Sequence, residues 1–323
     1  MPFDLSLFKK LNILVVGDLM IDEYVWGDVD RISPEAPVPV VRVNRESFTL
    51  GGAGNVINNI VSMGACVSVI GTAGTGKTGK QLLAKLAELG VQTDGIVSEP
   101  YRPTTRKTRI IASSQQVLRI DRETKESVSP ETFERILNLL KEKMVSADLV
   151  IISDYSKGLV TKDLVASVSE LAKQNGIFCL ADPKGMDFSK YENVHILTPN
   201  RKETALASGM EINRIDDLIP AGEKIIESAR LEKLLITCGK DGMLLLETDN
   251  PPFRIQSMAR QVFDVSGAGD TVISILGLCL AAGASFRRSA EVANAAAGIV
   301  VGKVGTATAT VEELAEALNS NPI

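Results

Sequence analysis

One turn near the end of the chain combines glycines and carboxylates in an order that suits phosphoryl chemistry. Residues 264–270 read DVSGAGD, and an apolar run that predicts a helix follows directly. Gly267 and Gly269 let backbone N–H groups approach a ligand closely, and the start of a helix attracts an anion. Asp270 would lie beside that anion, where its carboxylate could take a proton from an attacking hydroxyl. The alternative interpretation is a helix cap preceded by a glycine turn.

Two further groups of polar residues suit the binding of sugar hydroxyls. Asp18 and Asp22 follow the apolar run 11–16, and ligands of open α/β sheets bind outside the carboxyl ends of the strands. Gly51 and Gly52 open a second glycine turn, in which Asn55 could both donate and accept hydrogen bonds. For the two aspartates, the alternative is a pair of solvated loop residues.

A third glycine turn, residues 71–78 (GTAGTGKT), matches the phosphate-loop pattern G-x-x-x-x-G-K-[ST] literally. A strand is predicted before it and a helix after it, and Asp154 offers a partner acid. A phosphate-loop NTPase that uses Lys77 is therefore a rival hypothesis. The match carries less weight because such a short pattern arises easily in a chain with 26 glycines.

Other polar groups could serve a nucleotide or a substrate phosphate. Asn200 and Glu203 would share one face of a helix that starts there. This pair suits a Mg²⁺ ion that keeps its waters, and a helix-capping pair is the alternative. Four cations could face a substrate phosphate or could be solvated charges: Lys107, Arg109, Arg119 and Lys157.

The elements that must position these groups alternate between strand and helix over most of the chain. Buried strands are predicted at residues 11–16, 66–70, 148–152, 177–181, 195–197 and 234–236. This order is typical of an α/β fold with a doubly wound, mostly parallel sheet. Residues 24–50 and 100–122 alternate like strand pairs instead and predict a small β-sheet lid. An exposed sheet of that kind favours a homodimer.

Composition limits the classes of function. The 323 residues are 45% hydrophobic and carry a net charge of −5, which disfavours nucleic acid or an anionic membrane as the main partner. No apolar segment is long enough to span a bilayer or resembles a signal peptide, so a cytoplasmic protein is expected. The four cysteines are expected to be buried thiols. His195 is the single histidine and is expected to be a strand residue, which argues against a histidine triad or metal cluster.

Taken together, the motifs resemble the pfkB (ribokinase-like) family of carbohydrate kinases over nearly the whole chain. The likeness rests on GGAxN at 51–55, NxxE at 200–203 and DxSGAGD at 264–270, in that order. Segments such as GDxMxD at 17–22, SDYxKG at 153–158 and DPKG at 182–185 are similar to the kinases of heptose 7-phosphate within that family. In the family, the third glycine turn corresponds to GxxGxDxxG, with Gly76 in place of the aspartate. The phosphate-loop match therefore looks accidental.

The resemblance implies a role for each candidate residue. The γ-phosphate of ATP would lie over the turn at 267–269, and Asp270 would be the base for a sugar hydroxyl. The implied site consists of Gly267, Ala268, Gly269 and Asp270 for catalysis; Asp18, Asp22, Gly51, Gly52 and Asn55 for sugar hydroxyls; Lys107, Arg109 and Lys157 for the existing phosphate; Asn200, Thr237, Gly239 and Asn294 for the nucleotide; Glu203 for Mg²⁺ through water; and Asp264 and Ser266, with carbonyls near 302–305, for K⁺.

The function implied is ATP-dependent phosphorylation of D-glycero-β-D-manno-heptose 7-phosphate at its 1-hydroxyl, a step toward ADP-heptose and the lipopolysaccharide core. One ribokinase-like domain is expected to span residues 1–323, without the C-terminal nucleotidyltransferase domain that the bifunctional members carry. Three alternatives stay open. They are another sugar kinase of the same fold, for ribose or a fructose phosphate; the phosphate-loop NTPase; and a non-catalytic sugar- or nucleotide-binding regulator.

Overall fold

The computed structural model describes residues 3–112, 115–248, 250–259 and 261–320. Within these ranges, nine strands form a large sheet in the order β13-β12-β11-β10-β9-β8-β1-β4-β5. Their bounds are β1 Asn12–Gly17, β4 Cys66–Ala73, β5 Ile96–Ser98, β8 Leu149–Ser153, β9 Phe178–Asp182, β10 Ile196–Leu197, β11 Lys233–Thr237, β12 Met243–Glu247 and β13 Asn250–Ile255. The sheet is parallel from β5 to β11, and β12 and β13 add an antiparallel edge.

Four other strands form a separate small sheet in the order β3-β2-β6-β7. They are β2 Leu19–Ile32, β3 Pro39–Gly52, β6 Thr105–Ala112 and β7 Gln115–Arg122. The prolines before β3 fit its place at the edge of the sheet, because proline cannot complete a ladder on both sides. The small sheet begins at Leu19, five residues before the stretch that alternation marked, because the first residues of β2 are buried and apolar.

The helices cover both faces of the large sheet. They are α1 Ala53–Ser62, α2 Lys77–Glu88, α3 Pro130–Met144, α4 Lys162–Asn175, α5 Arg201–Ser208, α6 Leu218–Ala229, α7 Ala268–Ala281, α8 Phe286–Val300 and α9 Val311–Ser320. Side chains of β1 alternate between two cores: Ile13 and Val15 pack with α1 and α7, whereas Leu14 and Val16 pack with α3 and α4. The predicted doubly wound α/β fold with a small β-sheet is confirmed.

Helix α7 lies inside the protein because its sequence is apolar on all sides. It packs against α1, α8, β8 and β9. Its first turn therefore meets the carboxyl ends of the central parallel strands, where Asp18 and Asp154 follow β1 and β8 and Asp182 ends β9. Within the described residues, no helix combines the length and the apolar character that a membrane crossing needs.

Two of the smaller predictions need correction. Cys66 is exposed rather than buried, because it is the first residue of β4 and lies at the amino end of that strand, where the core has not begun. His195 lies one residue before β10 rather than in it. Its Nδ1 accepts a hydrogen bond from the backbone N–H of Cys179 at 3.1 Å, which explains its place beside the sheet without a chemical role.

Candidate active site

Asp270 is the third residue of α7, and its carboxylate is held by two hydrogen bonds. Asn55 Nδ2 donates to Oδ2 at 2.7 Å and the Tyr155 hydroxyl donates to Oδ1 at 2.7 Å. The residue is only 4% exposed. Burial raises the pKa of Asp270 to about 6, although both hydrogen bonds and nearby Lys184 favour the ionised form. A buried carboxylate with this pKa is suited to accept a proton near neutral pH.

The two glycines before Asp270, Gly267 and Gly269, differ in the space around their Cα atoms. Gly267 caps α7 with a φ of 79°, and an added Cβ would lie 2.5 Å from Asn55 Nδ2. At Gly269 a Cβ would meet no atom of the described residues within 4 Å. The backbone N–H groups of Gly269 and Asp270 have no acceptor within the part of the chain that the structure describes. The start of α7 therefore offers open space and free N–H donors to an anion.

Asn55 contacts this turn from α1. It is 1% exposed on α1, and its side-chain oxygen is buried without a partner among the described residues. A buried polar atom left unsatisfied costs about 1–3 kcal/mol, so such atoms are expected to have a partner in the working protein. A ligand hydroxyl beside Asp270 would satisfy this oxygen.

Asp18 is held by the loop that follows β8. Its Oδ2 accepts the backbone N–H groups of Tyr155 at 2.9 Å and Lys157 at 3.0 Å. Burial raises the pKa of Asp18, and these two hydrogen bonds oppose the rise. Asp18 Oδ2 is thus fixed in place at the carboxyl end of β1.

The small sheet brings Asp22 to the same region. Asp22 lies opposite Thr49 on β3 and Lys107 on β6, and it pairs with Arg109. A Cβ at Gly51 would lie under 3.0 Å from Asp22 Oδ2. Glycine at this position therefore lets the carboxylate lie flat against β3.

The four predicted phosphate-binding cations differ in their partners. Arg109 pairs with Asp22, Lys157 with Glu123 at 2.9 Å, and Arg119 with Asp121 on exposed strand β7. Lys107 has no ion pair within the described ranges, and its ammonium lies 5.3 Å from the centre of the Tyr155 ring. Burial lowers the pKa of Lys107. Among the four, Lys107 is the cation most available to a substrate phosphate.

Asn200 and Glu203 form a capping box at the start of α5, so the structure bears out the capping alternative. Asn200 Oδ1 accepts the N–H of Glu203 at 3.0 Å, and Glu203 Oε2 accepts the N–H of Asn200 at 2.9 Å. Glu203 Oε1 accepts a hydrogen bond from Lys184 Nζ. The pair therefore caps α5 directly after β10, and Glu203 also holds Lys184, a lysine whose charge acts on Asp270.

The other predicted nucleotide residues lie on both sides of the antiparallel edge. Thr237 ends β11 beside Asn200, and its N–H donates to Pro199 O at 2.9 Å. Gly239 has a φ of 61°, and a Cβ there would meet no atom within 4 Å. Asn294 Nδ2 on α8 donates to Gln256 O at 2.8 Å. Among the described residues, no hydrogen bond joins Asn294 to Asn200.

Asp264 fastens the turn before α7. Its Oδ1 accepts the Ser266 N–H at 2.9 Å and its Oδ2 accepts the Gly305 N–H at 3.1 Å. Within the described ranges, no group of three or more His, Cys, Asp or Glu side chains is placed to hold a metal ion.

Comparison with known proteins decides the family. The pfkB family carbohydrate kinase description matches residues 10–313. The chain belongs to this family. The kinase is 54% identical over 321 residues to the bifunctional protein HldE of Desulfatibacillum aliphaticivorans and 46% identical over 308 residues to that of Geobacter sulfurreducens. The two matches span 99% and 95% of this chain, but only 66% and 63% of the lengths of the two relatives.

Solved structures of lower identity share the fold of this kinase. Phosphofructokinase-2 from Escherichia coli in complex with potassium matches with a TM-score of 0.80 at 20% identity, covering 96% of this chain and 99% of the other. The ribokinase of Arabidopsis thaliana complexed with ribose and ATP matches with a TM-score of 0.76 at 21% identity, covering 95% and 98%. At such identities the likeness establishes the fold alone.

Three side chains of the kinase site were not assigned a role from the sequence. Tyr155 contacts Asp270, and Lys184 lies 5.7 Å from the Tyr155 ring centre while it pairs with Glu203. Asp182 is buried at the end of β9, and burial raises its pKa well above the usual value although Lys184 opposes this. The available signal was the place of SDYxKG and DPKG directly after predicted strands.

The phosphate-loop match is explained by packing. Gly74 N–H donates to Thr104 Oγ1 at 2.8 Å, so it is not free for a ligand. A Cβ at Gly79 would overlap Gly74 O, at under 3.0 Å. Lys77 is exposed as the first residue of α2. These glycines let the turn pack tightly beside the segment that leads into β6.

Proposed function

We propose that this kinase transfers the γ-phosphoryl group of ATP to the 1-hydroxyl of D-glycero-β-D-manno-heptose 7-phosphate. The observation that carries the proposal is the arrangement at α7: a buried base, Asp270, lies beside free N–H donors and the unsatisfied oxygen of Asn55. Asp270 can accept a proton from a hydroxyl, Asn55 can hold that hydroxyl, and the start of α7 can hold the phosphoryl group.

The proposed reaction follows from that arrangement. The sugar 1-hydroxyl gives its proton to Asp270 while its oxygen forms a bond to the γ-phosphorus, and the bond from that phosphorus to the β,γ-bridging oxygen breaks to release ADP. A positioned base contributes about 10²–10⁴-fold to such a rate. Positioning and stabilisation of charge at the N–H groups of Gly269 and Asp270 supply the remainder.

The sugar is proposed from the residues on the small-sheet side. Asp18, Asp22 and Asn55 present fixed polar atoms to hydroxyl groups. Lys107 supplies a cation without an ion pair in the described ranges, as a substrate phosphate requires. The heptose itself is supported by the similarity to proteins named HldE, and it would place the reaction in the synthesis of the lipopolysaccharide core precursor.

Metal ions are part of the proposal for the nucleotide side. Mg²⁺ carried by the phosphates of ATP would neutralise their charge, with Glu203 holding one of its waters. Asn200, Thr237, Gly239 and Asn294 stay predicted nucleotide ligands. K⁺ beside Asp264 and Ser266 would stabilise the turn before α7.

A homodimer through the small sheet is also proposed. This sheet exposes apolar side chains, among them Ile32 at 62%, Val43 at 50% and Leu118 at 52%. Apolar surface of this kind on a small sheet is typically covered by another chain. We place the dimer in the cytoplasm, where ATP is supplied.

Paired variants test the site, and a substrate panel tests the sugar. We expect Asp270→Asn to abolish phosphoryl transfer and Lys77→Ala to retain most of it, measured as ADP release. The reverse result would favour the phosphate-loop hypothesis. The panel compares heptose 7-phosphate with fructose 6-phosphate and ribose. Faster turnover of either of the latter would refute the heptose proposal and leave a different sugar kinase.

A further inference from the structure

One residue joins the proposed base to a proposed sugar ligand. The backbone N–H of Tyr155 donates to Asp18 Oδ2 at 2.9 Å, and its hydroxyl donates to Asp270 Oδ1 at 2.7 Å. Asp18 follows β1 and Asp270 begins α7, so the two carboxylates come from opposite ends of the chain. Their spacing is therefore set through one side chain.

The loop that carries Tyr155 is firmly held. Asp154 is fully buried and accepts hydrogen bonds from the Ser156 N–H at 2.7 Å, from the Tyr191 hydroxyl and from the Lys190 ammonium. Ser156 has a φ of 53°. This conformation costs a non-glycine residue roughly 1–3 kcal/mol and persists only where the surroundings enforce it. The position of Tyr155 is thus imposed by its neighbours.

Two lysines flank the ring of Tyr155. Lys107 of β6 lies 5.3 Å from the ring centre and Lys184, after β9, lies 5.7 Å from it. Ammonium groups at this distance are attracted to an aromatic ring. Burial and the nearby Asp270 raise the pKa of Tyr155 well above its usual value, so its hydroxyl keeps its proton and can donate it in a hydrogen bond to Asp270.

We propose that Tyr155 is a positioning residue for phosphoryl transfer. Its hydroxyl holds the Asp270 carboxylate in the orientation that meets the sugar hydroxyl, while its backbone fixes Asp18 on the other side of that sugar. The inference rests on the proposed function, in which Asp270 is the base. Tyr155 keeps its own proton throughout, and the proton of the sugar passes to Asp270 alone.

The pH dependence of the rate reports on this role. The Tyr155 hydroxyl and Asn55 both favour the ionised form of Asp270, as does the Lys184 ammonium, whereas burial and Asp22 favour the protonated form. Asp182 lies close enough for the charge of Asp270 to raise the pKa of Asp182. Removal of the Tyr155 hydroxyl should therefore raise the pKa of Asp270. As the pH is lowered, Asp270 of the variant then takes up its proton, and the rate falls, at a higher pH than in the native protein.

The test compares a tyrosine of the site with an exposed one. Tyr155→Phe removes the hydroxyl from Asp270 and leaves the backbone bond to Asp18. Tyr101→Phe makes the same chemical change in a side chain that is fully exposed. In Tyr155→Phe we expect the acid limb of kcat/KM, which an Asp270 pKa of about 6 would place near pH 6, to rise by about one unit and the plateau of kcat to fall about tenfold. The KM of the sugar should change less than about twofold, because the Asp18 bond remains.

The matched control should keep the native acid limb. A carboxyl ¹³C titration of Asp270, which needs no sugar, should show the same upward shift in Tyr155→Phe and none in Tyr101→Phe. An acid limb unchanged in Tyr155→Phe, or shifted equally in both variants, overturns the positioning role. The proposed function is tested separately. Asp270→Asn removes the proposed base itself, so turnover retained by that variant would refute the proposed function.

Discussion

Gly269 gives the sharpest test of where the transferred phosphoryl group lies. It is the second residue of α7, and an added Cβ would meet no atom within 4 Å. Alanine is a better helix residue than glycine by roughly 0.5–1 kcal/mol. Gly269→Ala should therefore keep or slightly increase the free energy of unfolding. For a chain of this size, the expected rise in Tm is about 1–3 °C.

The same substitution should nevertheless damage catalysis. Its methyl group would occupy the open space at the start of α7, where we propose that the γ-phosphoryl group binds. A displacement of about 1 Å at reacting atoms can cost about 10²-fold, or about 2.7 kcal/mol. We expect kcat/KM for ATP to fall at least about 100-fold in a coupled ADP-release assay, while thermal unfolding shows no loss of stability.

Gly76→Ala is the matched control. Gly76 is the N-cap of α2, and a Cβ there would likewise meet no atom of the described residues within 4 Å. Alanine is a poorer N-cap than glycine, so a loss of up to about 1 kcal/mol is expected, with kcat/KM within about twofold of native. Native activity in Gly269→Ala would refute the proposed phosphoryl site. Loss of activity in Gly76→Ala alone would move that site to the phosphate-loop turn.

Two further predictions concern the binding of the sugar and the stability of α5. Gly51→Ala pushes a Cβ against Asp22 Oδ2. We expect the KM of the sugar to rise at least about tenfold with little change for ATP, and equal effects on both in steady-state kinetics would contradict the role of Asp22. Asn200→Ala removes the capping box of α5, which should lower the free energy of unfolding by about 1 kcal/mol in urea titration. An unchanged urea midpoint would mean that another group caps α5 in the variant.

The layered fold could be predicted because its signals are local. Continuous apolar runs mark strands that are buried on both faces, and the structure places β8 at Leu149–Ser153 and β9 at Phe178–Asp182, within one residue of the predicted strands. Carboxylates and amides directly after such runs must meet at one edge of the sheet. Asp18 and Asp154 do so, and the Ser156 turn and Tyr155 link them.

The contacts that make the site could not be predicted in the same way. Asn55 and Asp270 bond across 215 residues, and no periodicity in the chain encodes such a pairing. The contact of Tyr155 with Asp270 could not be predicted for a related reason. A tyrosine after a strand is common, and its hydroxyl reaches α7 because of the strained turn at Ser156. Such a turn is fixed by the tertiary contacts of Asp154 rather than by local preference.

The two glycine turns show why a sequence pattern alone could not choose between them. Glycine is required wherever a side chain has no room, whether a ligand or the protein fills the space. At Gly79 the space is filled by the backbone of Gly74, and at Gly267 by Asn55. At Gly269 the protein leaves the space open beside free N–H donors and a buried carboxylate. The weaker match to the phosphate-loop pattern is therefore the better candidate for binding phosphate.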